Sequence, residues 1–167
     1  MKEMFMSSQE IPSLITELTC DDFITCQKAR RSLVKIGHEA VPHLVQALGS
    51  RKEWVRWEAA KALGQIGDPS ATEALIRALV DSQFDVRWLA AEGLIVIGRP
   101  SLVPLLKALI ENPKSLELRE GVHHVLHDMY RGELDSILKP VMAALEGPEP
   151  STELPVAATK ALAELNR

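Results

Sequence analysis

The apolar positions Val55, Ala59, Ala62, Leu63 and Ile66 recur mostly at gaps of three and four, which gathers them on one side of a helix. The same pattern returns at Val86, Ala90, Leu94 and Ile97. A fainter copy, Ala29, Leu33 and Ile36, stands upstream in register with Ala59, Leu63 and Ile66. Another, Val122, Leu126 and Met129, stands downstream in register with Ala90, Leu94 and Ile97. The period is about 30 residues, the scale of repeats built from helix pairs. Ala158 and Leu162 keep the register of Val122 and Leu126. A second amphipathic stretch precedes each copy, near Ile11-Pro12, Val41-Pro42, Ala74-Leu75, Val103-Pro104 and Pro140-Val141. Gly37, Gly67 and Gly98 sit where helices should stop, and prolines gather near the starts of the preceding helices. The pattern therefore predicts ten helices and no strands, near 10–19, 22–37, 39–49, 53–66, 70–81, 85–97, 101–111, 115–130, 134–146 and 152–166. Asp85 is placed to cap the helix that begins at Val86.

A helix pair of this size cannot bury its own apolar face, whereas five stacked pairs share a continuous core. The expected organisation is a short N-terminal extension, 1–9, and one repeat domain, 10–167. Its repeats run about 10–37, 38–67, 68–98, 99–130 and 131–167. The fifth is irregular. The step from Val122 to Ala158 is longer than the step from Ala90 to Val122, which puts an insertion between about Arg131 and Lys139. Gly147 to Ser151 carries two prolines and reads as a turn. A divergent last repeat suits a cap.

Val55-Arg56, Ala59-Ala60, Ala62-Leu63-Gly64 and Ile66-Gly67-Asp68, echoed at Val86-Arg87, Ala90-Ala91 and Ile97-Gly98, resemble HEAT repeats, in particular the short HEAT-like repeats of phycobilisome lyases. The resemblance covers nearly the whole chain and implies a right-handed all-α solenoid, an α/α superhelix of five helix pairs. It also implies that the Val-Arg helix lines a concave groove. In that family an Asp six residues before the Arg often ties neighbouring repeats together. Only Asp81 and Arg87 keep that pair; Ser50 and Pro113 stand before Arg56 and Arg119.

Given that orientation, the helix faces place Trp54, Trp57, Glu58, Lys61 and Gln65 in the groove. The next repeat adds Asp85, Trp88, Leu89, Glu92 and Val96. All three tryptophans of the chain thus fall on groove positions, with Trp57 and Trp88 at equivalent places and expected side by side. Clustered exposed tryptophans favour interface anchors, and the bland alternative is that they seal the joints between repeats. Charge is polarised along the same face, with Lys28, Arg31 and Lys35 at one end and Glu117, Glu120, Asp128 and Glu164 at the other. Partner-binding candidates are accordingly Trp54, Trp57, Glu58, Lys61, Trp88, Leu89, Glu92, Lys28, Arg31 and His124.

Chemistry is sparse. His123, His124, His127 and Asp128 form the one metal-like run, but His123 occupies a position held by Ala60 and Ala91 and is expected at a repeat joint. Deoxyhypusine hydroxylases, which share HEAT-like repeats, hold iron with His-Glu pairs on the Val-Arg helices. Those positions are Trp57-Glu58, Trp88-Leu89 and Glu120-Gly121 in this chain, so the pairs are missing. HEAT-like DNA glycosylases use groove tryptophans in a basic cleft, whereas the net charge of −4 disfavours nucleic acid as a partner. Cys20 and Cys26 lack zinc-ligand spacing and read as structural or incidental thiols. No apolar run reaches membrane-spanning length and the start lacks a secretory pattern, so a cytoplasmic location is expected. The expectation is a monomeric protein-binding adaptor without metal or cofactor, not an enzyme. The alternative that the resemblance implies is a lyase-like or chaperone subunit acting on bilin (tetrapyrrole) proteins.

Overall fold

The computed structural model describes residues 8–129, 132 and 134–166. Most of the 1–9 extension, the expected helix end at Tyr130, and Arg131 and Glu133 of the expected insertion lie outside the described residues. Ten helices follow in order: α1 Ile11–Glu17, α2 Phe23–Ile36, α3 Val41–Ala47, α4 Glu53–Ile66 and α5 Thr72–Ala78. Then come α6 Phe84–Ile97, α7 Leu102–Glu111, α8 Leu116–Met129, α9 Leu134–Glu146 and α10 Pro150–Leu165. No strand occurs among the described residues. The chain is an all-α solenoid.

The first helices α1, α3 and α5 are each seven residues long, shorter than the periodicity suggests. Their entry is a 3-10 turn (Ser8–Glu10, Gly37–Ala40, Pro69–Ala71) in place of α-helix. The second helices stop where the sequence says they should. Gly67 ends α4 at φ 66° and ψ 24°, a left-handed geometry in which a side chain is strained. Its neighbours in register, Gly37 and Gly98, also take positive φ. The expected cap on α6 is absent: the helix begins two residues before Val86, at Phe84, with Gln83 at its N-cap and Asp85 inside the first turn. Asp22 caps α2, accepting from the Thr25 backbone N–H at 3.0 Å.

Small residues set the spacing of the stack. Ala59, Ala60, Ala62, Ala90 and Ala91 are buried at the helix contacts. α4 and α6 approach most closely where Gly64 meets Gly93; a Cβ on Gly93 would lie 3.1 Å from the Gly64 Cα. Leucines fill the layers between, among them Leu33, Leu44, Leu63, Leu75, Leu94 and Leu105. The row α2, α4, α6, α8 packs along itself more extensively than the row α1, α3, α5, α7. That row has the longer helices, fourteen residues each against seven in α1, α3 and α5.

Within three repeats an arginine ties the second helix to the loop before it. Arg56, Arg87 and Arg119 donate from Nη1 to the carbonyl oxygen six residues back, on Ser50, Asp81 and Pro113, at 3.0, 2.9 and 3.4 Å. The Asp81 carboxylate does not pair with Arg87, as the family pattern implied. It takes a forked pair of bonds from Arg56 of the preceding repeat, at 2.7 and 3.0 Å. Burial pushes the Asp81 carboxyl up, but the Arg56 guanidinium and the Gln83 N–H outweigh it and hold the group below its ordinary value. The bond from Asp81 raises Arg56 in turn.

The last pair departs from the stack. In a regular continuation α10 would follow α8 and α9 would follow α7. Instead α9 packs on α8, while α10 packs on α7 and α9. α9 runs antiparallel to α8, since His123 in mid-α8 meets Glu146 at the end of α9. Helices α7 to α10 thus close a ring around Leu105, Leu126, Val141 and Ala158. The register that links Ala158 and Leu162 to Val122 and Leu126 is a register of helix faces and not of position in the stack, and Glu164 leaves the groove row. α9 is thirteen residues long, against seven in α1, α3 and α5. That length lets α9 pack against both α8 and α10.

Candidate partner-binding face

The N-terminal turns of the second helices form a rim along one edge of the row α2, α4, α6 and α8. Equivalent positions there carry Phe23, Phe84 and Leu116, followed one residue on by Ile24 and Trp54 and four residues on by Trp88. All six are exposed, Trp54 at 39 % and Trp88 at 46 % of their surface. Trp57 is half-buried against the core. A cleft opens at every joint of this row. The first, about 480 Å³, lies between α2 and α4 and is lined by Cys20, Phe23, Cys26, Trp54, Trp57 and Glu58. The second, about 200 Å³, places Trp54 and Trp57 against Asp85 and Val86. The third, about 210 Å³, holds Phe84, Trp88 and His124 beside Glu117 and Glu120. A fourth, about 420 Å³, lies past the end of the row and runs from Leu116 to Leu145 and Pro150, beside Arg119, Glu120 and His123.

Trp57 and Trp88 do not stand as one pair. Trp88 packs between Phe84, with centroids 6.3 Å apart, and His124, at 4.4 Å. Trp57 lies under the Lys61 ammonium, 4.3 Å from the ring centroid. Lys52 sits 4.8 Å over Trp54 and also donates to the Thr19 carbonyl oxygen at 2.8 Å. The Arg87 guanidinium covers Phe84 at 5.5 Å. Three of the aromatic faces thus carry a cation of their own chain.

Two expected groove residues sit elsewhere. Glu58 is 3 % exposed and accepts from Arg30 Nε at 2.6 Å; Arg30, 5 % exposed, also donates to Gln65 Oε1 at 2.7 Å. Glu58 is therefore a buried ion-pair partner that ties α2 to α4, not a groove contact. Leu89, at the equivalent position, is half-buried against the core and adds little free surface. Both positions turn toward the joint because neighbouring second helices approach on that side.

Lys28, Arg31 and Lys35 are exposed on α2, and Glu117 and Glu120 on α8. Glu92 is half-buried and bonds His124 across the joint at 2.8 Å, and His123 bonds Glu146 at 3.0 Å. Those histidine bonds join neighbouring helices. Among the described residues no three His, Cys, Asp or Glu side chains gather in a metal-binding arrangement. The sequence reading missed Phe23, Ile24, Phe84 and Leu116. Aligning the helix starts would have shown an apolar residue at the first position of three of the four second helices.

Comparisons with known proteins agree with this architecture. A family model described as HEAT repeats matches residues 11–95. The chain is similar to the crystal structure of an engineered protein from the Northeast Structural Genomics Consortium, at 22% identity and TM-score 0.51, covering 93% of this chain and 79% of that one. That likeness is one of fold. A second engineered protein from the same consortium is 21% identical with TM-score 0.46, covering 94% of this chain and 48% of that one. No curated protein matches the chain.

Proposed function

The chain belongs to the HEAT-repeat family, and from that premise we propose that it is a binding scaffold, not an enzyme, which holds a segment of a partner protein along the rim clefts. One observation carries the reading: exposed Phe23, Trp54, Phe84, Trp88 and Leu116 recur at the starts of the second helices and line successive clefts there, with exposed Ile24 beside Phe23. A row of large apolar side chains left in water costs solubility and invites burial by a partner. Helices that pack side by side stand about 10 Å apart, so the clefts repeat at about that interval. An extended segment advances about 10 Å in three residues, and a helix in about two turns. A partner with large apolar residues at either spacing would seat one in each cleft.

Charge gives the segment a direction. Lys28, Arg31, Lys52 and Lys61 border the α2–α4 end, and Glu117 and Glu120 border the α8 end. An acidic stretch would lie toward α2 and a basic one toward α8, and this steering acts on encounter rate more than on final affinity. The anchors carry the affinity. Replacing Trp54 or Trp88 by Ala should cost about 2 kcal/mol or more.

A display library of random peptides, selected on the intact protein, tests the proposal. The expected clones place aromatic or large aliphatic residues at one of the two spacings and lose about thirtyfold in affinity for Trp54→Ala or Trp88→Ala, the equivalent of about 2 kcal/mol. Clones that bind both variants as tightly as the parent would overturn it.

A further inference from the structure

The first repeat differs from the others at two positions that touch. Where Arg56, Arg87 and Arg119 reach back to the carbonyl six residues earlier, the first repeat has Cys26, whose thiol donates to the Cys20 carbonyl oxygen at 3.2 Å. Where the others have Ser50, Asp81 and Pro113 at the accepting residue, the first repeat has Cys20 itself. The two exchanges together bring Cys20 Sγ and Cys26 Sγ to 3.7 Å, in van der Waals contact. Both thiols are free, Cys26 buried and Cys20 half-exposed. Both also line the α2–α4 cleft, the largest on the rim, so a small molecule entering it can reach half-exposed Cys20, behind which Cys26 is buried.

We propose that Cys20 and Cys26 are a redox-active dithiol, a modification site that closes to an intramolecular disulfide by exchange with small organic disulfides entering this cleft. The pair divides the work by burial. Desolvation, then the neighbouring Cys20 thiol, push Cys26 up to about 11, so it is a poor nucleophile. Cys20 attacks first. Its thiolate displaces one thiolate from the disulfide R–S–S–R and leaves Cys20 as the mixed disulfide Cys20–S–S–R. Cys26 then attacks the Cys20 sulfur and releases the second R–S⁻, which takes up the Cys26 proton. Two protein thiols are oxidised to one disulfide, and one R–S–S–R is reduced to two R–SH. The sulfurs must close from 3.7 Å to about 2.05 Å. Cys20 lies in the connection between α1 and α2, outside both helices, and can move toward the fixed Cys26. The bond from Cys26 to the Cys20 carbonyl is given up as it does so. The inference is independent of partner binding, although the cross-link would reset the cleft wall that Phe23, Trp54 and Trp57 share.

The full chain, equilibrated across reduced and oxidised dithiothreitol mixtures and trapped with an alkylating agent, gives the test by intact mass. The expected result is a single transition from two alkylated thiols to none, with the protein still monomeric on a non-reducing gel. Exposure to oxidised glutathione should leave Cys26→Ser as a stable mixed disulfide on Cys20. Cys20→Ser should react about tenfold more slowly or less, because its remaining thiol is buried and protonated. Far-ultraviolet circular dichroism confirms that both variants are folded, and alkylation of the wild type after denaturation confirms that both thiols are present. Two thiols that stay alkylatable across the whole series, oxidation only to a disulfide-linked dimer, or equal reactivity of the two variants would each overturn the assignment.

Discussion

Removing the Glu58 carboxylate separates a buried role from an exposed one more sharply than any other single change. Glu58 and Arg30 are 3 and 5 % exposed and bonded at 2.6 Å, so Glu58→Ala strands a guanidinium inside the α2–α4 joint. Taking one partner from a buried pair costs about 3–5 kcal/mol. Two features place this site at the low end. Arg30 keeps its 2.7 Å bond to Gln65, and the cleft beside Glu58 admits water to the vacated space. We expect a loss of about 3 kcal/mol, or a fall in Tm of about 6–12 °C for a chain of this size. The double variant Arg30→Met, Glu58→Leu should recover to within about 1 kcal/mol of the parent, because an apolar pair of similar volume restores packing without the desolvation cost. Leu89 already occupies the equivalent of Glu58 in the next repeat. Urea unfolding followed by circular dichroism, read as a double-mutant cycle, gives both numbers. A Glu58→Ala loss below about 1 kcal/mol would refute the reasoning and return Glu58 to the surface.

Three further outcomes follow from the same structure. Ala90→Val should overpack the core around α6 by about 1–3 kcal/mol, and Gly93→Ala should also lose stability because its methyl meets the Gly64 backbone, outweighing a helix-propensity gain of about 1 kcal/mol; thermal melts check both. Asp81 is held below its ordinary value, and Asp68, bonded by Ser70 and His38, sits at about 2. The stability these carboxylates supply is therefore whole above their unfolded value of about 4 and lost as pH falls toward about 2, a slope that Asp81→Asn should flatten in acid titrations of urea midpoints. Acrylamide should quench the emission of Trp54 and Trp88, and Trp54→Phe, Trp88→Phe should leave only the less readily quenched signal of half-buried Trp57.

Helix pairing, the glycine stops and the buried alanines were legible because each rests on a local pattern that successive repeats restate. What crosses between repeats was not. Arg30 stands at the equivalent of buried Ala60 and Ala91, and a charge in that small-residue row demands a partner. Glu58, equivalent to Leu89 and Gly121, was its signal, but helix geometry alone assigned it to the groove. The Asp81 bond to Arg56 escaped for the same reason: the partner is set by which repeat leans on which. The inverted last pair announced itself only as a wider spacing and a longer α9, since periodicity reports the buried face of a helix and not the neighbour it is buried against. The tryptophans were found, yet their own cations and His124, which occupy their faces, are products of packing across joints.

The chain has three tryptophans, so a nitrogen-15 correlation spectrum has three indole N–H signals, each assignable by single substitution. Titration with a peptide selected on the intact protein tests the central claim at the rim itself. If the clefts hold the partner, the Trp54 and Trp88 signals shift together and saturate at the same peptide concentration as the backbone amides of Phe23 and Leu116. If those signals stay fixed while amides of the first helices α3 and α5 move, the binding face is the opposite one and the account is wrong.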